Sequence, residues 1–357
     1  MELCILDQDF QEQGIVDVFS CLLWNRRYYE TGDFELHTIP EHFALLQEGS
    51  YLYRPDTQEC ALLETIVCRM DSSGGKEIIA SGRFLEQLLY DRVIDQTQKL
   101  SGTGEEVMRA LIETVAIAPA DTKRIVNRLQ LGPISGVGKP MQQQVTGKNL
   151  LETLQEIGRS QQIAVSLRYN YLQDQILATI WQGKDRTEGQ KENSWATFST
   201  QYENILASEF SDSIAEERNF AYVAGEGEGS QRVIVTVDQT DGAPRRELYV
   251  DARDLQKENQ TQAQYEETLR QRGIEKLAEY QRHTTLDGAI DIHTNLNYRK
   301  DFDLGDLCTY VDHSLGIEVE QRITEISEVY EGGRVEVTAT FGDQQWTILQ
   351  KIRREGR

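Results

Sequence analysis

Carboxylates dominate the chemistry this chain could do. Asp and Glu number 59 among 357 residues, against 37 Lys plus Arg. Glu64, Glu113, Asp185, Asp251 and Asp306 could each act as a general acid or base. A glycosidase needs two carboxyl groups at a defined separation, one with a raised pKa, and no pair stands out from so acidic a background. A serine nucleophile on a G-x-S-x-G elbow is absent. Cys21 and Cys68 lie in apolar runs, the usual setting of unreactive thiols. His37, His42, His283, His293 and His313 are scattered, without H-E-x-x-H or zinc-type Cys/His spacing. Gly225-Glu226-Gly227-Glu228-Gly229 follows a strand-like run, but Ser230 stands where a dinucleotide fingerprint needs its third glycine. It reads as a turn between strands. Gly136-Val137-Gly138-Lys139-Pro140 lacks the Ser or Thr of a P-loop. The expectation is a protein that is not an enzyme and holds no cofactor or metal.

A second class of motif joins a glycine or an aromatic ring to arginine or aspartate. These are Trp24-Asn25-Arg26-Arg27-Tyr28, Gly82-Arg83-Phe84, Gly183-Lys184-Asp185-Arg186-Thr187, Arg245-Arg246-Glu247 and Leu304-Gly305-Asp306. Two readings stand side by side. Each is a strand-edge turn with an internal Arg–carboxylate pair, or each is a subunit contact, where Arg, Trp and Tyr are enriched. The candidate residues are Trp24, Arg26, Tyr28, Gly82, Arg83, Asp185, Arg186, Arg245, Arg246, Glu247, Gly305 and Asp306.

The elements that carry these motifs are mostly strands. Phe34, Leu36 and Thr38 alternate with Glu35 and His37, and residues 61–70 and 76–82 flank a turn signal at Asp71-Ser72-Ser73-Gly74-Gly75. Residues 101–190 combine helical stripes (Val107, Met108, Leu111, Ile112, Val115; then Leu150, Leu151, Leu154, Ile157) with a hairpin around Asn170 to Gln175. Leu131 to Pro140 reads as a mobile surface loop. Phe220 to Gly225 reads as a strand, and Arg232 to Val237 as a strand partnered with Glu247 to Val250 across the turn at Asp241-Gly242. Residues 255–282 are the clearest helix, with a capping box at Thr261 to Gln264 and an interruption at Gly273. Strands return at 300–345, with a hairpin at Glu331-Gly332-Gly333.

The resulting class is α+β and β-rich. The expected pieces are 1–100 (β), 101–190 (α+β), 191–250 with 296–345 (β, discontinuous), 251–295 (a helical insertion) and 346–357 (a basic tail). A net charge of −22 argues against binding duplex DNA or anionic lipid over the general surface, where Lys and Arg supply affinity. No run of 18 apolar residues offers a membrane span, and the first residues carry no basic signal-peptide region. Five cysteines without a C-x-x-C pair read as buried reduced thiols.

In order along the chain, the motifs resemble a known family. The series runs from Trp24-x-Arg26-x-Tyr28 with Gly32-x-Phe34, through Gly82-Arg83-Phe84-Leu85, Gly183-x-Asp185-Arg186-Thr187, Phe198-Ser199 and Asn219-x-x-Tyr222-Val223-x-Gly225. It continues with Arg245-Arg246-Glu247, Arg272-Gly273, Leu304-Gly305-Asp306, Arg322-Ile323-Thr324-Glu325 and Phe341-Gly342. This resembles the siphophage and prophage tail hub proteins, which are similar to baseplate hub proteins of contractile phages. The resemblance implies a virion tail component made in the host cytoplasm. It implies a homotrimeric ring in which each chain gives two tail-tube-like antiparallel β-barrels, at 1–100 and at 191–250 plus 296–345, with 101–190 and 251–295 as outer domains. The implied partners are the tail tube or distal tail protein on one side and a spike or fibre on the other, with DNA passing through without specific binding. An acidic lumen would suit that passage, since like charge disfavours contact with a polyanion. The competing expectations are a receptor- or carbohydrate-binding tail protein and a tail-tip cell-wall hydrolase.

Overall fold

The computed structural model describes residues 2–70, 74–291 and 294–342. The turn at Asp71-Ser72-Ser73, His293 and the basic tail at 346–357 lie outside the described residues. The chain divides into two compact units: residues 1–182, 219–279 and 327–335 form the first, and 183–218, 280–326 and 336–357 the second.

The first unit opens with β1 (Leu3–Leu6), β2 (Glu12–Val16), β3 (Phe19–Arg27), β4 (Asp33–Thr38), β5 (Tyr51–Arg54), β6 (Glu59–Met70) and β7 (Lys76–Phe84). Their hydrogen-bonded order is β3-β4-β7-β6-β5-β1-β2. Alternation decides the faces: Leu22, Trp24, Phe34, Leu36, Ile78 and Ala80 point one way. Leu3, Ile5, Val16, Leu52 and Leu63 join them in one core. Strands from both ends of the path thus share a core, so the sheet curls on itself. Among the described residues its hydrogen bonds do not close a barrel. Gly82 permits the sharpest contact in this sheet. A Cβ there would lie 1.8 Å from the Leu62 carbonyl oxygen, beside the bulge between Leu63 and Thr65.

The α+β portion of this unit follows, with α1 (Gln87–Tyr90), β8 (Gln98–Thr103), α2 (Gly104–Ile112), β9 (Leu129–Leu131), β10 (Pro140–Val145), α3 (Leu150–Gln161), β11 (Ala164–Asn170) and β12 (Gln175–Trp181). Thr103 and Glu106 form a capping box on α2, and Asn149 caps α3. The expected hairpin is β11 with β12, in register from Ala164–Trp181 to Asn170–Gln175. The apolar stripes of α2 and α3 pack with this hairpin and with Leu6, Tyr51, Tyr53 and Cys60 in a second core.

After β13 (Thr197–Phe198) and β14 (Ile205–Ser213) of the second unit come β15 (Phe220–Ala224), β16 (Ile234–Asp238), β17 (Glu247–Asp251) and α4 (Gln262–Ala278) of the first. Here the strand pairing differs from expectation. β16 and β17 do not pair; both flank β15, antiparallel and parallel respectively. The most apolar strand takes the centre, where both of its edges are bonded. These three strands form a sheet of their own under α4, with Ala221, Val223, Val237, Tyr265 and Leu269 in its core. Gly273 does not interrupt the helix. A Cβ there would come within 2.6 Å of Val237 and 2.7 Å of Val223, so glycine lets α4 sit close on the sheet.

The second unit carries β13, β14, β18 (His283–Ile290), β19 (Leu307–Asp312), β20 (Ile317–Glu331) and β21 (Arg334–Phe341), in the order β14-β18-β21-β20 with β19 on β20 and β13 on β19. Residues 317–326 of β20 belong to this unit and 327–331 to the first. The tight turn at Gly332-Gly333 has positive φ at both residues (56° and 75°), as a type I′ hairpin requires. Phe198 packs edge-on against Phe302 and Phe341, with centroids 5.1 and 5.0 Å away. Cys60 and Cys308 are buried thiols as expected, Cys4 and Cys21 are half-buried, and Cys68 is exposed.

Candidate functional site

The motif residues separate into a buried set and an exposed set. In the first unit, Trp24 and Arg26 project from alternate positions of β3 onto Glu59, the first residue of β6. Trp24 Nε1 donates to Glu59 Oε2 at 2.9 Å, and Arg26 Nε donates to Glu59 Oε1 at 2.7 Å. Arg26 and Glu59 are 4% and 5% exposed, so this ion pair lies inside the protomer. A neighbouring group was not signalled by any motif. Arg54 Nη1 donates to Glu328 Oε2 at 2.9 Å, and the Tyr330 hydroxyl donates to the same oxygen at 2.5 Å. The Arg54 guanidinium lies 5.2 Å from the Trp24 ring centroid. Burial and the Glu328 carboxylate push the Tyr330 hydroxyl up to about 12. The only available signal was the burial parity of β20, since Glu328 and Arg54 are 274 positions apart. Tyr28, at the turn after β3, donates its hydroxyl to the Gln162 carbonyl at 3.1 Å and packs edge-on against Trp181.

In the second unit, Asp306 is the hub of a loop lock. Its Oδ2 accepts from Arg186 Nε at 2.7 Å and from the Asp303 N–H at 3.0 Å, while Oδ1 accepts from the Lys184 N–H at 2.8 Å. Arg186 also donates to Ser194 Oγ at 2.6 Å and to the Lys300 carbonyl at 3.2 Å. Gly305 holds φ at +81°, and its carbonyl accepts from Arg322. A Cβ on Gly183 would fall 1.8 Å from that same carbonyl oxygen. The two glycine motifs, 122 positions apart, are therefore halves of one joint. Asp185 is exposed and closes a local turn by accepting from the Thr187 N–H and hydroxyl.

The exposed set is different. Arg83 grips Glu64 through two bonds of 2.8 and 2.6 Å on the outer face of β6 and β7. Arg245 stacks 3.8 Å over the Phe220 ring, and Glu247 accepts from the Tyr222 hydroxyl at 3.3 Å. The Arg246 backbone ties to Asn219. Arg245, Phe220, Tyr222 and Glu247 belong to the face of the β15–β17 sheet turned away from α4, where Tyr249 is 59% exposed.

One further feature corrects the sequence reading. The segment 131–140 is tied down. The buried Glu105 carboxylate accepts from the N–H groups of Ser135, Gly136 and Val137 at 2.6–3.0 Å. His42 is buried beside the Thr38 hydroxyl at 2.7 Å, and His37 bridges Glu35 and Glu77. Among the described residues no group of His, Cys, Asp and Glu could hold a metal ion, and no helix is long and apolar enough to cross a membrane.

The model of the Siphovirus ReqiPepy6 Gp37-like proteins matches residues 2–343. No curated protein matches the sequence. Three crystal structures are similar over the full chain. The prophage tail protein gp18 from Listeria monocytogenes EGD-e has a TM-score of 0.59 at 13% identity, covering 100% of this chain and 98% of its own. The tail protein from Neisseria meningitidis MC58 has a TM-score of 0.59 at 13% identity, covering 96% of each chain. The prophage MuSo2 43 kDa tail protein from Shewanella oneidensis has a TM-score of 0.59 at 12% identity, covering 96% and 98%. At these identities the likeness is one of fold.

Proposed function

We propose that this chain, which belongs to the Siphovirus ReqiPepy6 Gp37-like protein family and so is a structural phage tail protein, acts as the hub of the tail tip. Three copies form a ring. It joins the tail tube or distal tail protein to a spike or fibre, and DNA passes through its centre.

The observation that carries this reading is the repetition of β architecture within one chain. Each unit holds an antiparallel path of at least four strands, β3-β4-β7-β6 in the first and β14-β18-β21-β20 in the second. Three chains would offer six such sheets to a sixfold tube, a symmetry adaptor built from a threefold ring. These paths take the role of the two tube-like β-barrels; 219–250, expected in the second barrel, instead forms a sheet of its own in the first unit and joins 251–279 as an outer part beside 86–182.

The outer face of the second path suits an acidic lumen, whereas that of the first is near charge balance, with His37 between Glu35 and Glu77. In the first unit that face carries Asp33, Glu35, Glu64 and Glu77, against Arg27, Arg69 and Arg83. In the second it carries Glu209, Asp287 and Glu336 among threonines. The test is light scattering with electron microscopy of the purified chain. A threefold particle with a central hole about as wide as a duplex supports the hub, and a monomer that never joins a ring with its tube partner removes it.

A second reading has one observation in its favour. The β15–β17 face presents Tyr222 and Tyr249 in register, their hydroxyls bonded to Glu247 and Arg232. Aromatic faces of this kind suit a receptor or carbohydrate. Binding of the isolated chain to host cells, lost on Tyr249→Ala, would favour it. No observation favours a cell-wall hydrolase, and turnover of purified host wall is expected to be absent.

A further inference from the structure

Residues 219–279 carry a core of their own. Val223, Val237, Leu255, Tyr265, Leu269 and Leu277 pack there, and none of them belongs to the core that α2 and α3 share. The chain reaches this module from the second unit and returns to it, since 183–218 and 280–326 both lie there. The two ends are bonded together, with the Arg218 N–H donating to the Tyr280 carbonyl at 2.7 Å. No stretch of chain therefore leads directly from the module to α3, and non-covalent contacts hold it there.

Those contacts centre on polar groups. The Lys99 ammonium on β8 meets Glu258 at 2.6 Å, and the Gln144 amide on β10 bonds the Gln256 backbone at 3.1 and 3.2 Å. Glu156 on α3 accepts from Lys148 at 2.8 Å and lies 3.9 Å from Lys276 on α4. Thr268, Gln271, Arg272 and Glu275 of α4 are buried, and all four are polar. Two of them are poorly satisfied. Arg272 Nε and Glu275 Oε2 face each other at 3.9 Å, and neither atom has a hydrogen bond. Burial raises the Glu275 pKa; Arg272 and Lys148 oppose that rise, and Glu156 adds to it.

Such a seam gains little from being closed. Apolar burial drives association, whereas a buried ion pair stabilises only with good geometry and with its remaining polar atoms bonded. Opening the seam returns the two orphaned atoms to water and leaves the apolar core beneath α4 intact. Polar interfaces between parts of one chain permit relative motion.

We infer that 219–279 is a detachable module, docked on α3 and β10 by a polar latch that opens while the module itself stays folded. Glu156, Arg272, Glu275 and Lys276 form the latch. The inference goes beyond the hub reading and does not depend on it, because it concerns a single chain whether or not copies form a ring.

Thiol labelling tests it. Thr268→Cys places a thiol on the helix face of Gln271 and Glu275, and Ala221→Cys places one in the module's own core. Each variant is treated with iodoacetamide, and mass spectrometry of peptides separates the new thiol from the five native cysteines. The thiol at 268 should react at least about tenfold faster than that at 221, since local opening precedes global unfolding. Adding Glu156→Gln leaves Lys148 and Lys276 without their shared carboxylate. It should speed reaction at 268 by about tenfold more and leave 221 unchanged. Filling the seam with apolar groups, as Arg272→Met with Glu275→Leu, should slow 268 towards the rate at 221. Equal rates at 268 and 221 in the otherwise native chain would overturn the latch, because the seam would then open only when the module unfolds. A rate at 221 that rises in step with 268 on Glu156→Gln would overturn it too.

Discussion

The two halves of β6 have opposite surroundings. At its first residue, Glu59 is sealed among Trp24, Arg26 and Thr57, with all of these partners in the same unit. Eight residues on, Val67 begins a stretch exposed on both faces. The same division appears in the second unit. Asp306 fastens the 184–186 and 303–306 loops in a buried lock, while residues 206–209 of β14 are exposed. Polar residues that look like contacts in the sequence are mostly used inside the protomer. The most exposed strand segments, 67–70 and 206–209, are ordinary edges with little to mark them. A buried charge cannot be left unpaired without large cost, whereas an exposed strand edge satisfies its backbone groups with water.

The comparison can be broken first at the locks. Asp306→Ala strands the Arg186 guanidinium and two backbone N–H groups in a buried site. It should cost about 3–5 kcal/mol, read as a lower denaturation midpoint with no change specific to assembly. Glu328→Ala in the first unit should cost about 3 kcal/mol by the same logic, because Arg54 lies 1% exposed beside it.

Glu86 sharpens the contrast through pH. Its buried carboxyl accepts from the Leu167 N–H at 2.8 Å, but Oε2 has no partner. Burial pushes its pKa from 4.5 to about 7. A carboxyl with a raised folded-state pKa stabilises the fold fully below about 4.5, and that stability is lost as pH rises through about 7. Glu86→Gln should therefore flatten the dependence of unfolding free energy between those limits. It should raise stability at pH 8 by up to about 3 kcal/mol. An unchanged pH profile would mean that Glu86 is ionised at no cost.

The smallest effect belongs to the surface. Arg83→Ala removes an exposed pair with Glu64 and should change stability by less than about 1 kcal/mol. If Arg83 also touches a neighbouring copy, the same variant should weaken assembly, which sedimentation at several concentrations would detect.

Much of the fold was legible in the sequence because its signals are local. The Thr261 capping box, the β11–β12 hairpin and the Gly332-Gly333 turn each depend on residues within a few positions. The misreadings come from tertiary context. Gly273 carries the formal mark of a helix break, yet it is held in the helix by a sheet that needs its missing side chain. β16 and β17 look like a hairpin until β15, distant from β17 in sequence, takes the centre. The candidate residues were found through their types, and their partners were not, since Arg54–Glu328 and Arg186–Asp306 join positions far apart. The open edges gave no sign, because an edge is defined by a missing neighbour and only the sheet order reveals it.

Whether copies of this chain close a threefold ring decides the proposed function. The most direct measurement is the mass of the purified chain by light scattering, alone and with its tube partner. The expected particle is three times the 40.8 kDa chain. A 40.8 kDa monomer at all concentrations, with the tube partner as well as without it, would contradict the hub reading.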